Sequence, residues 1–268
     1  MLPKGNFCEL KSGFKFHYHD SGSGEVVLFL HGSGTGASGY TNFKNNIGSF
    51  EDAGFRVVVI DLPGYGFSDK PDNAIYSMEF FNTLILEFLD NLKISKCSIV
   101  GNSLGGALAM GLALKRPSLV TKLILMAPGG LEDRDAYDNM PGIRKLMDDF
   151  LGGEMNQEKI EGLLQLFPYN SDLVTSDLVE DRMEILPLMN QQVLATMDIP
   201  NLCADLKDNN IPVLAFWGAN DQFIPLSGIE KITSLFTHAQ VIVYSRCGHW
   251  VMIERPDDFN QHCINFLQ

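Results

Sequence analysis

Cysteine is scarce in this sequence, and so are long apolar runs. The five cysteines are scattered over 268 residues without a C-x-x-C pair, which predicts free thiols in a reducing compartment rather than a disulfide framework. No apolar run approaches the roughly 18 residues that a membrane-spanning helix needs. Residues 1–12 show no charged lead followed by an apolar stretch, so we expect no signal peptide, no membrane partner and a cytoplasmic location.

Positive charge is also in short supply. The chain has 20 Lys and Arg against 33 Asp and Glu, which gives a formal net charge of −13. The basic residues form no stripe or cluster, and this argues against a nucleic-acid partner. An anionic small molecule would therefore need a local cationic anchor against an unfavourable overall field.

Short apolar runs alternate with helix-length segments along most of the chain. Most of these runs are continuously apolar and β-branched, as in strands covered on both faces of a parallel sheet. The helix-length segments include 77–92 and 104–116, the second ended by Pro117. The pattern predicts an α/β fold with a mostly parallel central sheet flanked by helices. The six predicted strands are 26–30, 57–60, 98–100, 123–126, 213–217 and 241–244.

The alternation stops between residues 130 and 206, a stretch with no convincing strand. We expect this stretch to be a helical insertion that forms a lid over the carboxyl edge of the sheet. The core would then consist of residues 1–129 and 207–268, as one α/β domain of ordinary size. The predicted helices of the insertion are 142–151, 157–167 and 175–186.

A G-x-S-x-G motif lies at the junction of a predicted strand and a predicted helix. It reads Gly101-Asn-Ser-Leu-Gly105. A strand, a sharp turn and a helix are the context that identifies a nucleophile elbow, and the glycines permit a turn too tight for side chains. The motif predicts Ser103 as a nucleophile. The alternative is an ordinary turn in which the serine only caps the helix.

Two further residues complete a candidate catalytic triad with Ser103. A serine nucleophile needs a general base, and the base needs a carboxylate that orients it. Asp221 follows the predicted strand 213–217, and His249 follows the predicted strand 241–244. Both therefore belong to loops at the carboxyl ends of parallel strands, where such sheets bind ligands. The chain order Ser, Asp, His is the order of α/β-hydrolases.

Other carboxylates and histidines compete for these two roles. His31 ends the strand 26–30 and is expected to pack there or to fix the following loop. The competing carboxylates lie in or beside the insertion rather than after a core strand: Asp198, Asp205 and Asp208. The histidines of an N-terminal strand-like stretch are expected at the surface: His17 and His19. The remaining histidines are expected to be structural: His238 and His262.

A glycine-rich segment, 31–36, follows the first predicted strand. It lacks the Lys-Ser/Thr pair of a phosphate loop and the G-x-G-x-x-G pattern of a dinucleotide-binding turn. The remaining interpretation is an oxyanion loop. Backbone N–H groups of Ser33 and Leu104 would stabilise the tetrahedral intermediate, and the loss of one such donor typically costs about 2.7–4 kcal/mol of barrier.

With these motifs the sequence resembles the meta-cleavage product hydrolases. These are bacterial enzymes of the α/β-hydrolase fold that hydrolyse vinylogous 1,5-diketones made by extradiol ring fission. Asn102 before the nucleophile, Trp250 after the histidine and the Gly-Ala-Ser-Gly stretch 36–39 are more specific to this family than the triad. The similarity covers almost the whole chain, and it is carried by Arg182 and by segments 31–42, 101–106, 123–131 and 247–250.

The resemblance implies a substrate site. Arg182, Asn42 and Asn102 are expected to hold the carboxylate and enol end of the substrate, with Trp250 packed beside them. The planar fork of an arginine suits a carboxylate. The spacing of Arg182 among acidic neighbours would by itself indicate a solvated helix residue instead. Further expected substrate-binding residues are Gly32 and Phe223.

One position departs from the family pattern. Thr35 stands where many members have a proline after the oxyanion glycines. The change could loosen the loop, but it leaves the N–H groups of the loop available.

The resemblance also implies the reaction. A 2-hydroxy-6-oxo-hexa-2,4-dienoate would be converted to its keto form, Ser103 would attack the C6 ketone, and water would hydrolyse the acyl-enzyme. Neither a metal nor an organic cofactor is implied. The C6 substituent and the oligomeric state, with a homo-oligomer among the options, are left open. The candidates for the substituent end of the pocket, or else for the core, are Phe167, Met183, Met189 and Phe223.

Two other functions remain as alternatives. A carboxylesterase or enol-lactonase would use the same triad on an ester, without need of the carboxylate anchor. A non-catalytic ligand receptor on the same fold is the more distant alternative, because an intact triad argues against it.

Overall fold

A computed structural model describes residues 2–153, 156–190 and 192–268. Its centre is a sheet of eight strands in the order β1-β2-β4-β3-β5-β6-β7-β8. The first two pairs in this order, β1 with β2 and β2 with β4, are antiparallel, and the five other pairs are parallel. The strands are β1 (Asn6–Glu9), β2 (Lys15–Gly22), β3 (Val26–Leu30), β4 (Arg56–Ile60), β5 (Cys97–Asn102), β6 (Val120–Met126), β7 (Val213–Gly218) and β8 (Ala239–Tyr244).

The central strands are buried on both faces, as their continuous apolar sequences require. Every residue of β5 and of β7 is buried. All six predicted strands are present, as β3 to β8. Strands β1 and β2 form an additional antiparallel hairpin at one edge. The prediction that His17 lies at the surface is wrong. It is buried in β2, and its Nδ1 lies 2.8 Å from Oδ2 of buried Asp61.

Helices flank the sheet on both sides. Ser77 caps the first long helix by accepting a hydrogen bond from Phe80 N–H, and the predicted helices 77–92 and 104–116 are both present. The helices of the core are α1 (Gly39–Phe43), α2 (Ile47–Asp52), α3 (Met78–Asn91) and α4 (Leu104–Lys115) before β6. Later in the chain, those of the insertion between β6 and β7 are α5 (Arg134–Asp138), α6 (Pro141–Leu151), α7 (Gln157–Leu164), α8 (Ser176–Ile185), α9 (Gln192–Thr196) and α10 (Cys203–Leu206). The last three are α11 (Ser227–Leu235), α12 (Val251–Glu254) and α13 (Pro256–Leu267).

The insertion contains the three helices that the sequence predicts, as α6, α7 and α8. Helix α7 ends at Leu164, three residues before the predicted end at Phe167. Helices α5, α9 and α10 are short and were not predicted. Within the described residues the insertion adds no strand to the sheet, although Asp198 forms an isolated parallel bridge with Ser77. The segment thus stays outside the sheet.

The parallel strands all end at the same edge of the sheet. The loops that follow β3, β5, β7 and β8 therefore lie close together there, beneath the insertion. All five cysteines are free. No helix in residues 2–153, 156–190 and 192–268 is long and apolar enough to cross a membrane.

Candidate active site

Ser103 lies on a sharp turn between β5 and α4. Its backbone has φ 53° and ψ −114°, a conformation that costs a non-glycine residue of the order of 1–3 kcal/mol and persists only where the surroundings impose it. Here the Ser103 N–H donates to the Met126 carbonyl at 3.0 Å, and the Ser103 carbonyl accepts from Gly129 N–H at 2.9 Å. In the described chain, the side chain makes no capping bond to α4. The structure therefore favours a hydroxyl at an elbow that lines a cavity, rather than a helix cap.

The two glycines of the motif permit this turn because other backbone passes very close. A Cβ on Gly101 would lie 2.5 Å from the carbonyl oxygen of Gly105. A Cβ on Gly105 would lie 2.1 Å from the carbonyl oxygen of Leu30, at the end of β3. Contacts of this length are not tolerated, so both positions require glycine.

His249 and Asp221 form a buried pair at the same edge of the sheet. Nδ1 of His249 lies 2.7 Å from Oδ2 of Asp221. The other carboxylate oxygen accepts from the N–H groups of Phe223 at 2.7 Å and Ile224 at 3.0 Å, which fixes the carboxylate. The His249 N–H donates to the Phe167 carbonyl at 2.6 Å. This geometry orients the ring through Nδ1 and leaves Nε2 available to a proton donor.

His31 has the loop-fixing position that the sequence indicated. Its Nδ1 lies 2.7 Å from the Gly32 carbonyl oxygen, and its Nε2 accepts from Leu62 N–H at 2.9 Å. The ring is fully buried, and burial lowers the pKa of His31 to about 4. The imidazole is therefore neutral at ordinary pH and has both ring nitrogens engaged.

One cavity brings together most of the residues that the sequence singled out. Asp221 reaches it through His249, and Leu104 lines an adjoining cavity that also touches Ser33 and Ser103. Residues from five separate parts of the chain therefore meet at one place. The predicted residues that line the first cavity are Gly32, Ser33, Asn42, Asn102, Ser103, Arg182, Phe223, His249 and Trp250.

Arg182 is the main cationic group of this cavity. It is only 2% exposed although it lies on α8 among acidic residues, so the interpretation as a solvated residue is wrong. Its Nη1 is 3.4 Å from the Gly36 carbonyl oxygen, and its Nη2 finds no hydrogen-bond partner among the described residues. The guanidinium lies 5.1 Å from the Trp250 ring centre. Burial lowers the pKa of Arg182 to about 10, so the group remains charged at neutral pH.

Two asparagines line the same cavity as this guanidinium. Asn42 lies on α1, which begins with a capping box formed by Ser38 and Thr41. The Oδ1 atom of Asn42 is buried and unpartnered within the part of the chain that the structure describes. Nδ2 of Asn102 donates to the Met126 carbonyl at 3.3 Å. Two buried atoms of the cavity lining, Nη2 of Arg182 and Oδ1 of Asn42, thus have no hydrogen-bond partner among the described residues.

Three aromatic rings form one wall of the cavity. Phe167 stacks on Phe223 with ring centres 4.0 Å apart and on Trp250 with ring centres 4.3 Å apart. Phe167 and Phe223, two of the four candidates for the substituent end, therefore line the cavity that contains Arg182 and do not line the adjoining one. The other two candidates, Met183 and Met189, pack against the core.

The adjoining cavity has a volume of about 220 Å³. No signal in the sequence predicts most of its wall, since only the packing of the insertion determines which apolar side chains face it. Its charged lining residues are Arg134, Asp138 and Asp198. Its wall is mainly apolar, formed by Ala107, Ile143, Leu146, Met147, Leu194, Met197, Ile199 and Ile224.

No cluster of His, Cys, Asp or Glu that could hold a metal ion occurs in residues 2–153, 156–190 and 192–268. The site contains a serine on a strained turn, an imidazole–carboxylate pair and a buried guanidinium. Such a set can carry out acyl transfer through a covalent intermediate.

Comparison with known proteins places this chain in a family. Residues 27–262 match the model of an alpha/beta hydrolase family. The chain is 35% identical over 269 residues to a 2-hydroxy-6-oxo-6-phenylhexa-2,4-dienoate hydrolase of Comamonas testosteroni, covering 96% of this chain and 92% of that protein. A 2-hydroxy-6-oxononadienedioate/2-hydroxy-6-oxononatrienedioate hydrolase of the same organism is also 35% identical, with the same coverage.

Solved structures agree with this placement. A meta-cleavage product hydrolase from Pseudomonas fluorescens IP01 has a TM-score of 0.87 and 32% identity, covering 98% of this chain and 97% of that chain. The 2-hydroxy-6-oxo-6-phenylhexa-2,4-dienoate hydrolase of a Rhodococcus strain has a TM-score of 0.80 and 25% identity, covering 98% of this chain and 99% of that chain. The chain is a hydrolase that belongs to the α/β-hydrolase family, as one of its meta-cleavage product hydrolases.

Proposed function

We propose that the protein hydrolyses the C5–C6 carbon–carbon bond of a 2-hydroxy-6-oxo-hexa-2,4-dienoate. The observation that carries the proposal is a pair of buried atoms without a partner among the described residues, Nη2 of Arg182 and Oδ1 of Asn42. A buried charge whose hydrogen bonds are incomplete is costly, so the free Nη2 suits a ligand that brings a carboxylate. Both side chains line the same cavity as Ser103.

Ser103, His249 and Asp221 form the proposed catalytic triad. His249 removes the proton of the Ser103 hydroxyl, and Asp221 holds the imidazole and stabilises its protonated form. The backbone N–H groups of Ser33 and Leu104 then donate to the oxyanion. Both residues line cavities that include Ser103.

The proposed reaction has three stages after binding. The dienol first becomes the keto form, as its hydroxyl proton is lost and C5 gains a proton. Ser103 Oγ then attacks C6, the C5–C6 bond breaks, and its electron pair is delocalised towards the C2 oxygen. Water hydrolyses the acyl-enzyme, and the products are 2-hydroxypenta-2,4-dienoate and a carboxylic acid.

The adjoining cavity suits the C6 substituent of the substrate. Its wall is mainly apolar, and Arg134, the cation in its lining, already lies 3.6 Å from Asp138. Asp198 adds a further negative charge to the lining. These features favour an uncharged alkyl or aryl substituent over one that carries a second carboxylate. The two relatives differ in the same respect, since one is named for a phenyl-substituted dienoate and the other for a dioate.

The insertion, residues 130–206, is proposed to act as a lid on the core formed by residues 1–129 and 207–268. It supplies Arg182 and Phe167 to the cavity that His249 lines, and Leu146, Met147 and Leu194 to the adjoining cavity of about 220 Å³. Sites built between a core and an inserted segment enclose the ligand and exclude water.

A substrate panel tests this proposal. The purified enzyme is mixed with yellow ring-fission dienoates bearing phenyl, short alkyl or carboxyalkyl groups at C6, and the loss of colour is followed. We expect turnover of the phenyl or alkyl compounds with the highest kcat/KM. Ser103→Ala should lower kcat by at least about 10³-fold with the fold intact by circular dichroism. Hydrolysis of p-nitrophenyl esters without turnover of any dienoate would instead establish an esterase, and a Ser103→Ala variant retaining a tenth of the activity would contradict the triad.

A further inference from the structure

We infer that His31 is a positioning residue that aims the Ser33 N–H at the oxyanion by holding the peptide between Gly32 and Ser33. The inference rests on the proposed function, in which the Ser33 N–H is an oxyanion donor. His31 itself touches no substrate in this scheme. It acts through the backbone of the loop that follows β3.

The tautomer of His31 follows from its two neighbours. The Leu62 N–H can only donate, so the Nε2 atom that lies 2.9 Å from it must accept. In a neutral imidazole the proton is then on Nδ1, which donates to the Gly32 carbonyl oxygen 2.7 Å away. The ring thus links the Gly32 carbonyl, just after β3, to the Leu62 N–H, just after β4.

The surroundings keep this tautomer in place. The ring is fully buried, and the edge of Tyr65 packs on it with ring centres 5.1 Å apart. Among the charged groups that act on the ring, Asp61 raises the pKa of His31 and Arg182 lowers it, while burial outweighs both and lowers it to about 4. Protonation of Nε2 would place two donors face to face, at His31 and Leu62.

Because a peptide unit is planar, the bond from His31 to the Gly32 carbonyl also sets the direction of the Ser33 N–H. The carbonyl of Gly32 and the N–H of Ser33 belong to one trans peptide, so they point in opposite directions. A carbonyl held towards the His31 ring therefore turns the Ser33 N–H away from that ring. The same glycine lies against the nucleophile, because a Cβ added to Gly32 would be 3.3 Å from the Cβ of Ser103. Tyr65 supports the next peptide by donating to the Ser33 carbonyl at 3.4 Å.

Two substitutions separate the bonds that His31 makes. In His31→Asn the amide nitrogen can take the place of Nδ1 and keep the bond to the Gly32 carbonyl. In His31→Gln the longer amide can reach Leu62 and loses the bond to Gly32. Both variants remove ring volume, so we expect similar losses of Tm. We expect kcat to fall by about 10²-fold in His31→Gln, as for loss of an oxyanion donor, and by less than about 10-fold in His31→Asn. KM should change by less than about 3-fold in both, because the oxyanion forms only after binding.

A boronic acid probe tests the oxyanion directly. Benzeneboronic acid forms a tetrahedral adduct with a serine nucleophile, so its affinity should fall in His31→Gln in parallel with kcat and change little in His31→Asn. His17→Gln is the matched control, since His17 is also buried and bonded through Nδ1, but to Asp61. It should lower Tm while changing kcat by less than about 3-fold.

The ranking of variants is measured on a dienoate and on p-nitrophenyl acetate. If no dienoate is turned over but the ester shows the same ranking, the proposed reaction fails and the role of His31 stands. Equal losses of kcat in His31→Asn and His31→Gln would overturn the role, and so would unchanged boronate affinity in His31→Gln.

Discussion

Arg182 is the residue whose position is hardest to explain without a ligand. A guanidinium that is 2% exposed has lost most of its hydration, and its hydrogen bond to the Gly36 carbonyl oxygen spans 3.4 Å. The Trp250 ring at 5.1 Å compensates part of this loss through a cation–π contact. A substrate carboxylate would compensate the remainder, and such a charge-assisted bond contributes about 1.5–3 kcal/mol.

Replacement of Arg182 should therefore be selective for substrates that carry the carboxylate. We expect Arg182→Ala to lower kcat/KM on a ring-fission dienoate by about 10- to 150-fold. Hydrolysis of a neutral p-nitrophenyl ester should stay close to the wild-type rate, because the ester uses Ser103 and His249 without the carboxylate pocket. Steady-state kinetics on the two substrates measure the difference.

The control for this experiment is Arg144→Ala, which removes an exposed arginine of the same insertion. It should leave both activities unchanged. If Arg182→Ala depresses dienoate and ester hydrolysis by the same factor, Arg182 supports the fold of the site rather than the carboxylate.

At the scale of elements, the insertion is tied to the loop that carries His249. Glu254 of α12 accepts from Gly248 N–H at 2.7 Å and from Tyr169 N–H at 2.8 Å. Two residues before Tyr169, the Phe167 carbonyl accepts a hydrogen bond of 2.6 Å from His249 N–H. Burial raises the pKa of Glu254, and the two donors oppose that effect. One buried carboxylate thus joins the segment after α7 to the loop that carries His249.

Removal of this carboxylate should affect both stability and turnover. Glu254→Ala leaves two backbone donors unsatisfied, and we expect it to lower the free energy of unfolding by about 1–3 kcal/mol. We expect kcat to fall by about 10- to 100-fold, because small displacements of a catalytic group are costly. Glu254→Gln retains one acceptor and should be intermediate in both measurements. Urea unfolding and steady-state kinetics provide the two readouts.

Glu87→Ala is the comparison for Glu254, since Glu87 accepts a bond of 3.1 Å from Ser12 N–H at the surface. Its effect on stability should stay within about 0.5 kcal/mol. A Glu254→Ala variant with normal kcat would show that the tie serves stability alone.

The whole molecule presents an unfavourable field to an anionic substrate. Its formal net charge is −13, and the lining of the apolar cavity includes Asp138 and Asp198. Among the described residues, the buried Arg182 is the cation that would attract the proposed substrate carboxylate at close range. Long-range repulsion between exposed charges is screened by salt much more than a buried contact is.

Salt should therefore accelerate the capture of a dienoate. We expect kcat/KM for the dienoate to rise by about 2- to 5-fold between about 0.01 M and 0.15 M ionic strength, as the Debye length falls from about 30 Å to 8 Å. The value for a neutral ester should not change. A fall of kcat/KM with salt would mean that the cationic pocket, and not the net charge, governs the approach of the substrate.

The sequence by itself determined the parts of the site that depend on local geometry. The strand, the sharp turn and the glycines around Ser103 lie within a few residues of one another, and the close approaches at Gly101 and Gly105 explain why that pattern is informative. The positions of Asp221 and His249 after two strands followed from the rule that parallel strands end at one edge. The central strands followed from continuous apolar runs, because a strand covered on both faces needs apolar side chains at successive positions.

Only the tertiary structure decided which side chains of the insertion face the site. Arg182 lies among acidic residues on a helix, and its burial depends on α8 packing against the loop at Gly36, 146 residues earlier in the chain. The apolar wall that includes Leu146 and Met197 likewise depends on how separate helices meet. The burial of His17 depends on its pairing with Asp61, across two strands. Contacts between residues distant in sequence leave no local periodicity, so these positions became visible only in the folded molecule.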